Sequence, residues 1–195
     1  MSCYLSSSLF RNEPIEESIK KCGDLSNKFV EMSAPHPYQT DQEISSILKK
    51  YKELGYNFTL HNYFPPPKKS FVLNMASNDS DIINLNKDLI SKALDLSLSA
   101  ESPVYAVHAG YLSKATANIS GSFDFEKEEY SYSSALDRSV KLINDVSKKF
   151  EKNNVKFLIE NLFPSVARNS SLFCNYSQIK ELIDQVPKSV GLLLD

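Results

Sequence analysis

The chain has 195 residues, of which 42% are hydrophobic and 24% are charged, enough apolar material for one sizeable core. A formal net charge of -2 provides no electropositive surface for a phosphate backbone, so nucleic acid is disfavoured as a partner. No signal-peptide pattern and no apolar run of membrane-spanning length occurs, so we expect a soluble protein that is neither secreted nor membrane-bound. Cys3, Cys22 and Cys174 are odd in number and far apart, which predicts neither disulfides nor a cysteine zinc site and fits a reducing cytoplasm.

Short β-rich runs alternate with helical patterns along the chain. Six runs are predicted as strands: Cys3–Ser8, Phe29–Ser33, Asn57–Asn62, Val104–Gly110, Lys156–Leu162 and Val190–Asp195. Strands separated by helices are expected to lie parallel, joined by crossover connections. A complete (β/α) barrel has eight strands and typically about 250 residues. We therefore expect residues 1–195 to form one α/β domain with about six of the eight βα units of a TIM-type barrel, truncated at its C-terminus; an open six-stranded sheet is the alternative.

The first two helical segments carry start and stop signals. Pro14 suits a first helical turn and Gly23 a C-terminal cap, which together bracket the first helix. Thr40, with Glu43 three residues later, forms a capping-box pattern, and Gly55 can end that second helix.

The third and fourth helical segments are recognised by apolar residues at three- and four-residue spacing. The third is predicted over about Asp81–Ser97, and Ser134 with Asp137 is expected to open the fourth. One apolar stripe is expected to pack each helix on the sheet. The stripes are Ile82, Leu85, Leu89, Ala93 and Leu96, and Leu136, Val140, Ile143, Val146 and Phe150.

Two connections, Tyr63–Asp79 and Tyr111–Tyr132, are longer than an ordinary βα loop. Both follow carboxyl ends of predicted strands, the face where parallel barrels place their active sites. Loops of this length tend to be lids or binding walls. This face is therefore expected to carry the chemistry.

Four possible metal ligands end four successive predicted strands: His61, His108, Glu160 and Asp195. Taken singly, a strand-end histidine is more often structural, and an acidic residue there is often a helix N-cap. Four such placements at one edge of a parallel sheet favour a shared site. A mixed set of imidazoles and carboxylates suits a divalent ion such as zinc or manganese.

The segments around these residues resemble strand-end motifs of the xylose isomerase and endonuclease IV superfamily. They read Leu-His-Asn-Tyr-Phe from Leu60, Val-His-Ala-Gly from Val107, Leu-Ile-Glu-Asn from Leu158 and Gly-Leu-Leu-Leu-Asp from Gly191. The segment Phe71–Met75 is also similar to the stretch that follows the strand-three histidine in the endonuclease branch.

The resemblance implies two metal schemes. In the endonuclease branch, His61, His108 and Glu160 fall on zinc ligands and Asp195 on a ligand of a neighbouring ion. In the sugar isomerase and epimerase branch, Glu160 and Asp195 would bind one divalent ion, and Glu160 would also transfer the proton. The chain departs from the endonuclease pattern, since strand four reads His-Ala-Gly instead of His-Pro-Gly. The family's later ligands would lie beyond Asp195.

Four further residues are candidate substrate contacts. Glu31 resembles a strand-two glutamate near the substrate pocket in the sugar-active branch, with a solvated carboxylate as the alternative. His36 lies in a Pro-bounded loop on the same face, where it could touch substrate or be an exposed loop histidine. Lys68 and Lys69 follow three prolines and could meet a sugar phosphate as point charges, or be a solvated pair.

The leading expectation is a metal-dependent sugar or sugar-phosphate isomerase or epimerase, in which Glu160 moves a proton next to a polarised carbonyl. The alternative from the same superfamily is a zinc phosphodiesterase that acts at abasic sites in DNA. A third alternative is a barrel fragment that binds a ligand or partner without catalysis.

Overall fold

The computed structural model describes residues 3–118, 123–163 and 171–194. The strands are β1 Leu5–Ser6, β2 Phe29–Met32, β3 Asn57–His61, β4 Val104–His108, β5 Ser113–Ala117, β6 Phe123–Glu129, β7 Lys156–Glu160 and β8 Gly191–Leu193. The helices are α1 Ile15–Asp24, α2 Asp41–Glu53, α3 Ser80–Ser99, α4 Tyr132–Lys152 and α5 Tyr176–Ile183, and a short 3-10 helix covers Ser7–Phe10. Six of the strands form a parallel sheet in the order β1-β2-β3-β4-β7-β8. The predicted alternation and the six parallel units of a TIM-type barrel are confirmed.

Most of the predicted strands run one or two residues too far at their carboxyl ends. The chain leaves the sheet there because the next residues adopt turn conformations: Tyr63 has φ 57° and Gly110 has φ 124°. After β1 the chain enters the 3-10 helix at Ser7. The residues that follow each strand therefore belong to the loops of one face.

The connection after β4, predicted as a long loop, contains a β-hairpin. Its strands, β5 and β6, are paired antiparallel. Phe123 and Phe125 both contact the buried Tyr111 ring, at centroid distances of 6.0 and 5.1 Å. The period-two placement of these phenylalanines was the available signal.

Strand alternation separates two faces of the sheet. Val30, Leu60, Val107 and Ile159 are buried in the main hydrophobic core. The residues that follow them, one place along each strand, point to the opposite face because successive side chains alternate. This places Glu31, His61, His108 and Glu160 on the same face, at the carboxyl ends of β2, β3, β4 and β7.

The capping of α2 follows the predicted pattern, whereas the start of α4 and the stripe of α3 do not. Thr40 and Glu43 form a capping box, and Gly55 takes a left-handed conformation at φ 85°. Helix α4 begins three residues earlier than predicted, because Ser131 and not Ser134 is its N-cap. In α3, Leu85 is 42% exposed, so the predicted stripe is wrong at that position.

Gly23 is not a C-terminal cap, because α1 continues through Asp24 and Leu25 caps it. The absence of a side chain at Gly23 makes room for Tyr56, whose Oη would lie 2.0 Å from a Cβ at this position. Gly23 therefore allows α1 to pack closely against the buried Tyr56 ring. Within the described residues, no helix combines the length and the hydrophobicity that crossing a membrane requires.

We expect Gly23→Ala to lower the free energy of unfolding by about 1–2 kcal/mol, because the overpacking cost exceeds the helical preference for alanine. In a Tyr56→Phe background the loss should shrink, because the nearest ring atom would then be 3.2 Å away. Urea unfolding of the four proteins of this double-mutant cycle measures both effects. A Gly23→Ala protein as stable as the parent would contradict the packing argument.

Candidate active site

Three side chains converge at the carboxyl ends of β3, β4 and β7. His61 Nε2 lies 2.6 Å from Glu160 Oε2, and His108 Nε2 lies 3.1 Å from the same oxygen. One nitrogen or oxygen atom from each of the three residues falls within 4.8 Å of the others. The register explains this arrangement, since His108 pairs directly with Glu160 across β4 and β7, and His61 pairs with Ala106 across β3 and β4.

Glu160 is an anion held between two imidazoles. Its residue is only 6% exposed, and this burial by itself raises the pKa of the carboxyl. Hydrogen bonds from His108 and His61, together with the charge interactions of the two imidazoles, outweigh burial and lower the pKa of Glu160 to about 2. At neutral pH the group is therefore a carboxylate, the form that binds a cation.

The donor set fits a divalent ion. Ligand atoms bonded at about 2.0 Å to a tetrahedral zinc ion are about 3.3 Å apart. The contacts of Glu160 Oε2 with the imidazoles of His61 and His108, at 2.6 and 3.1 Å, need little expansion to reach that spacing. His61, His108 and Glu160 are therefore the described residues that could hold a metal ion.

Further contacts fix the His61 ring. Ser33 Oγ lies 3.4 Å from His61 Nδ1, and Glu31 Oε1 lies 3.9 Å from the same nitrogen. A partner on the second ring nitrogen sets the orientation and tautomer of a metal-binding histidine. Ser33 and Glu31, both at the end of β2, are the partners of this second ring nitrogen in His61.

Asn74 ties together the two loops beside the histidines. Its Oδ1 accepts hydrogen bonds from the N–H groups of Ala76 and Tyr111, at 3.0 and 2.9 Å. Its Nδ2 donates to the carbonyl oxygen of Ser113 at 3.1 Å. A Cβ at Gly110 would lie 2.6 Å from Asn74 Oδ1, so the glycine permits this close approach. Asn74 thus joins the loop after β3 to the segment after β4.

A cavity of about 470 Å³ opens next to these residues. It has the size of a small-molecule site and lies at the carboxyl ends of the strands, as the sequence analysis expected. Its lining is largely polar: Ser6, Ser8, Arg11, Glu31, Ser33, Ala34, His61, Glu160, Leu193 and Leu194. Two carboxylates, three hydroxyls and one guanidinium can meet a hydroxylated ligand there.

The predicted substrate contacts fall in different places. Glu31 lines the cavity, and its side chain is 28% exposed. Lys68 and Lys69 are exposed and do not belong to the described lining. Asp195 lies outside the described residues, although its neighbour Leu194 lines the cavity.

His36 is buried, so the expectation of an exposed loop histidine is wrong. Its Nδ1 lies 3.0 Å from the Glu13 carbonyl oxygen, to which it donates, because a carbonyl can only accept. Its Nε2 contacts Ser7 Oγ at 2.9 Å, and Ser7 Oγ accepts the N–H of Ser33 at 2.9 Å. Both ring nitrogens of His36 therefore contact protein groups. The role of His36 is structural, because it holds Ser7, which in turn holds Ser33.

Sequence reasoning missed Arg11, Ser33, Ser6 and Ser8 as cavity residues. Arg11 and Ser8 follow the first strand at its carboxyl end, on the face where the active site was expected. This position could have marked both residues as candidates. Asn74 was noticed only as part of a similar segment, because its role depends on contacts with residues 37 and 39 positions away.

A sequence profile for the xylose isomerase-like TIM barrel matches residues 19–195. The chain belongs to that family. No curated protein sequence matches it. Among solved structures, a D-psicose 3-epimerase of Clostridium cellulolyticum with D-tagatose has 19% identity and a TM-score of 0.71, covering 100% of this chain and 63% of that one.

Two further structures share the fold of this xylose isomerase-like barrel. A D-tagatose 3-epimerase-like protein has 18% identity and a TM-score of 0.73, covering 100% of this chain and 65% of that protein. A Thermus thermophilus protein from crystals soaked with ZnCl2 has 15% identity and a TM-score of 0.63, with the same coverage. The chain thus spans 63–65% of the length of these relatives.

We expect the metal-free chain to bind Zn²⁺ at the His61, His108 and Glu160 cluster. A His61→Ala, His108→Ala double variant should lose more affinity than the about 10–100-fold that follows loss of an outer hydrogen-bond partner. Isothermal titration with Zn²⁺ measures this difference. The control is Cys3→Ser, which removes an exposed thiol, another common zinc ligand, outside the cluster. Unchanged binding by the double variant would place the ion elsewhere.

Burial lowers the pKa of His36, opposed only in part by its hydrogen bonds to the backbone. The unfolded chain, with a histidine pKa of about 6.5, then binds more protons than the folded chain below that pH. The stabilisation from neutral His36 is complete above pH 6.5 and is lost as the pH falls below it.

The unfolding free energy that depends on neutral His36 should fall by at most about 1.4 kcal/mol for each unit by which the pH falls. His36→Gln should show a smaller decrease in unfolding free energy between pH 7.5 and pH 5.5 than the parent, measured by urea denaturation. An identical decrease in both proteins would show that protonation of His36 does not cause the loss of stability.

Proposed function

We propose that this barrel is a metal-dependent sugar or sugar-phosphate isomerase or epimerase. The observation that carries the proposal is the convergence of two imidazoles and an anionic carboxylate at a polar cavity on the carboxyl face of the sheet. Support comes from family membership and from the sugar epimerases among the structural relatives, one of which was solved with D-tagatose.

We assign metal binding to His61, His108 and Glu160, with Asp195 as a further predicted ligand. A divalent ion such as zinc or manganese, when bound there, would polarise a substrate carbonyl and stabilise negative charge on its oxygen. The protein's own contribution is to hold three ligands on rigid strand ends and to orient the His61 ring through Ser33.

Glu160 is the proposed proton-transfer residue. The contacts of both imidazoles are made to Oε2, so we assign the proton transfer to the other oxygen, Oε1. This oxygen would take the proton from the carbon next to the carbonyl, and the electrons of the broken C–H bond would move into an enediolate with its negative charge on the carbonyl oxygen. Return of the proton from Oε1 to the former carbonyl carbon, with transfer of the hydroxyl proton between the two oxygens, would give isomerisation. Epimerisation would need a second acid that delivers a proton to the opposite face of the first carbon.

Glu31 and Ser33 would hold the hydroxyl groups of the substrate. Both line the cavity beside His61, and a carboxylate and a hydroxyl can each accept a hydrogen bond from a sugar hydroxyl. We propose a free small-molecule sugar or sugar phosphate as the substrate, and a cytoplasmic location, which suits the three free cysteines.

We expect the protein to exchange solvent deuterium into a ketose at the carbon next to the carbonyl, followed by NMR in D2O. Glu160→Gln should reduce the exchange rate by about 10²–10⁴-fold, the usual contribution of a general base. Glu53→Gln, an exposed residue at the end of α2, is the matched control and should retain the parent rate. A Glu160→Gln variant that exchanges deuterium as fast as the parent would refute this role.

One observation favours a second candidate, a zinc phosphodiesterase of the endonuclease IV type. His61, His108 and Glu160 are the three residues that resemble the zinc ligands of that branch, and they do converge. The net charge of -2 opposes it, because binding of duplex DNA requires neutralisation of phosphates. Incision of an abasic-site duplex without deuterium exchange into any sugar would favour this candidate over the epimerase.

A further inference from the structure

Arg11 is the lone arginine or lysine in the described lining of the cavity that His61 and Glu160 share. Among the residues that the structure describes, its guanidinium makes no ion pair and no side-chain hydrogen bond. A guanidinium presents a rigid fork of donors that matches a phosphate or carboxylate in two parallel hydrogen bonds. The group is thus available to a ligand in the cavity.

The backbone around Arg11 is held in place. Arg11 ends the 3-10 helix that follows β1, and the next residue, Asn12, is left-handed at φ 65°. The N–H of Asn12 donates to the Pro35 carbonyl oxygen at 3.1 Å, which anchors this turn to the loop after β2. The nearby Glu13 pairs with Lys21 at 2.6 Å, so its carboxylate is engaged away from Arg11.

The two carboxylates of the cavity lie at different distances from β1. Glu160 belongs to β7, four places from β1 in the sheet order, whereas Glu31 belongs to the adjacent β2 and pairs in register with Ser6. Arg11 lies after β1, together with the hydroxyls of Ser6 and Ser8, whose Oγ atoms are 2.9 Å apart. Two strand spacings, about 10 Å, separate the backbone of β1 from the backbone of β3, which carries His61. The side chains that reach into the cavity from the two strands are closer together than their backbones.

We propose that Arg11, with Ser8, binds an anionic group at the end of the substrate that is distant from Glu160. The substrate class is then an acyclic or ring sugar with a terminal phosphate or carboxylate, whose neutral carbonyl end reaches His61 and Glu160. This inference rests on the proposed function for the rest of the substrate. It replaces Lys68 and Lys69 as the anion-binding residues, because they lie outside the described lining whereas Arg11 belongs to it.

The test uses inorganic phosphate and acetate as separate probes, titrated into the full chain by calorimetry at low ionic strength. Arg11→Gln should weaken binding of the preferred anion by about tenfold or more, because a hydrogen-bonded charged partner is lost. Arg11→Lys keeps the charge but not the fork and should recover only part of the affinity. Lys49→Gln, on the exposed side of α2, controls for loss of a positive charge and should bind like the parent.

Kinetics separate this inference from the proposed function. With matched neutral and phosphorylated ketoses, or a ketose and its acid, Arg11→Gln should raise KM for the anionic member about tenfold more than KM for the neutral member. Arg11-dependent anion binding without deuterium exchange would refute the proposed function and keep the anion site. If the protein exchanges deuterium but the parent and Arg11→Gln bind anions equally well, the anion site is refuted and the proposed function stands. The anion site is also refuted if a Lys68→Gln, Lys69→Gln double variant loses anion binding and Arg11→Gln keeps it.

Discussion

The parallel register between β4 and β7 is the constraint on which the rest of the site depends. It places His108 opposite Glu160 at the last rung of the ladder, and the pairing of β3 with β4 brings His61 alongside. Because strand side chains alternate between faces, a slip of one residue in any of the three strands would turn its ligand towards the helices. The buried neighbours Leu60, Val107 and Ile159 oppose such a slip, so the hydrophobic core fixes the geometry of a polar site.

Two buried polar arrangements support these strand ends from outside the sheet. Asn74 fixes the loops that follow β3 and β4, and it is 3% exposed, so loss of its hydrogen bonds would leave buried backbone groups unpaired. On the other side, His36 and Ser7 hold Ser33, which contacts the His61 ring. The loops that follow β2, β3 and β4 are therefore held by buried hydrogen bonds beside His61 and His108.

The sequence was sufficient to predict the parallel strands, the capping box of α2 and the shared face of His61, His108 and Glu160. The parallel strands follow from the alternation of strand and helix patterns, the capping box from Thr40 and Glu43, and the shared face from the positions of the three residues at strand ends. It was not sufficient for Gly23, whose role depends on a Tyr56 ring brought close only by folding. The burial of His36 and the place of Arg11 in the cavity likewise depend on how the loops after β1 and β2 cross, which no local pattern encodes.

The most direct measurement of the central claim is the anomalous scattering of zinc in crystals of this chain grown with the ion. The account predicts one strong peak within about 2.0–2.2 Å of His61 Nε2, His108 Nε2 and a Glu160 oxygen. A peak confined to other residues, with the contacts of Glu160 to both imidazoles retained, would contradict it. In that case the three side chains would form a hydrogen-bonded cluster and not a metal centre.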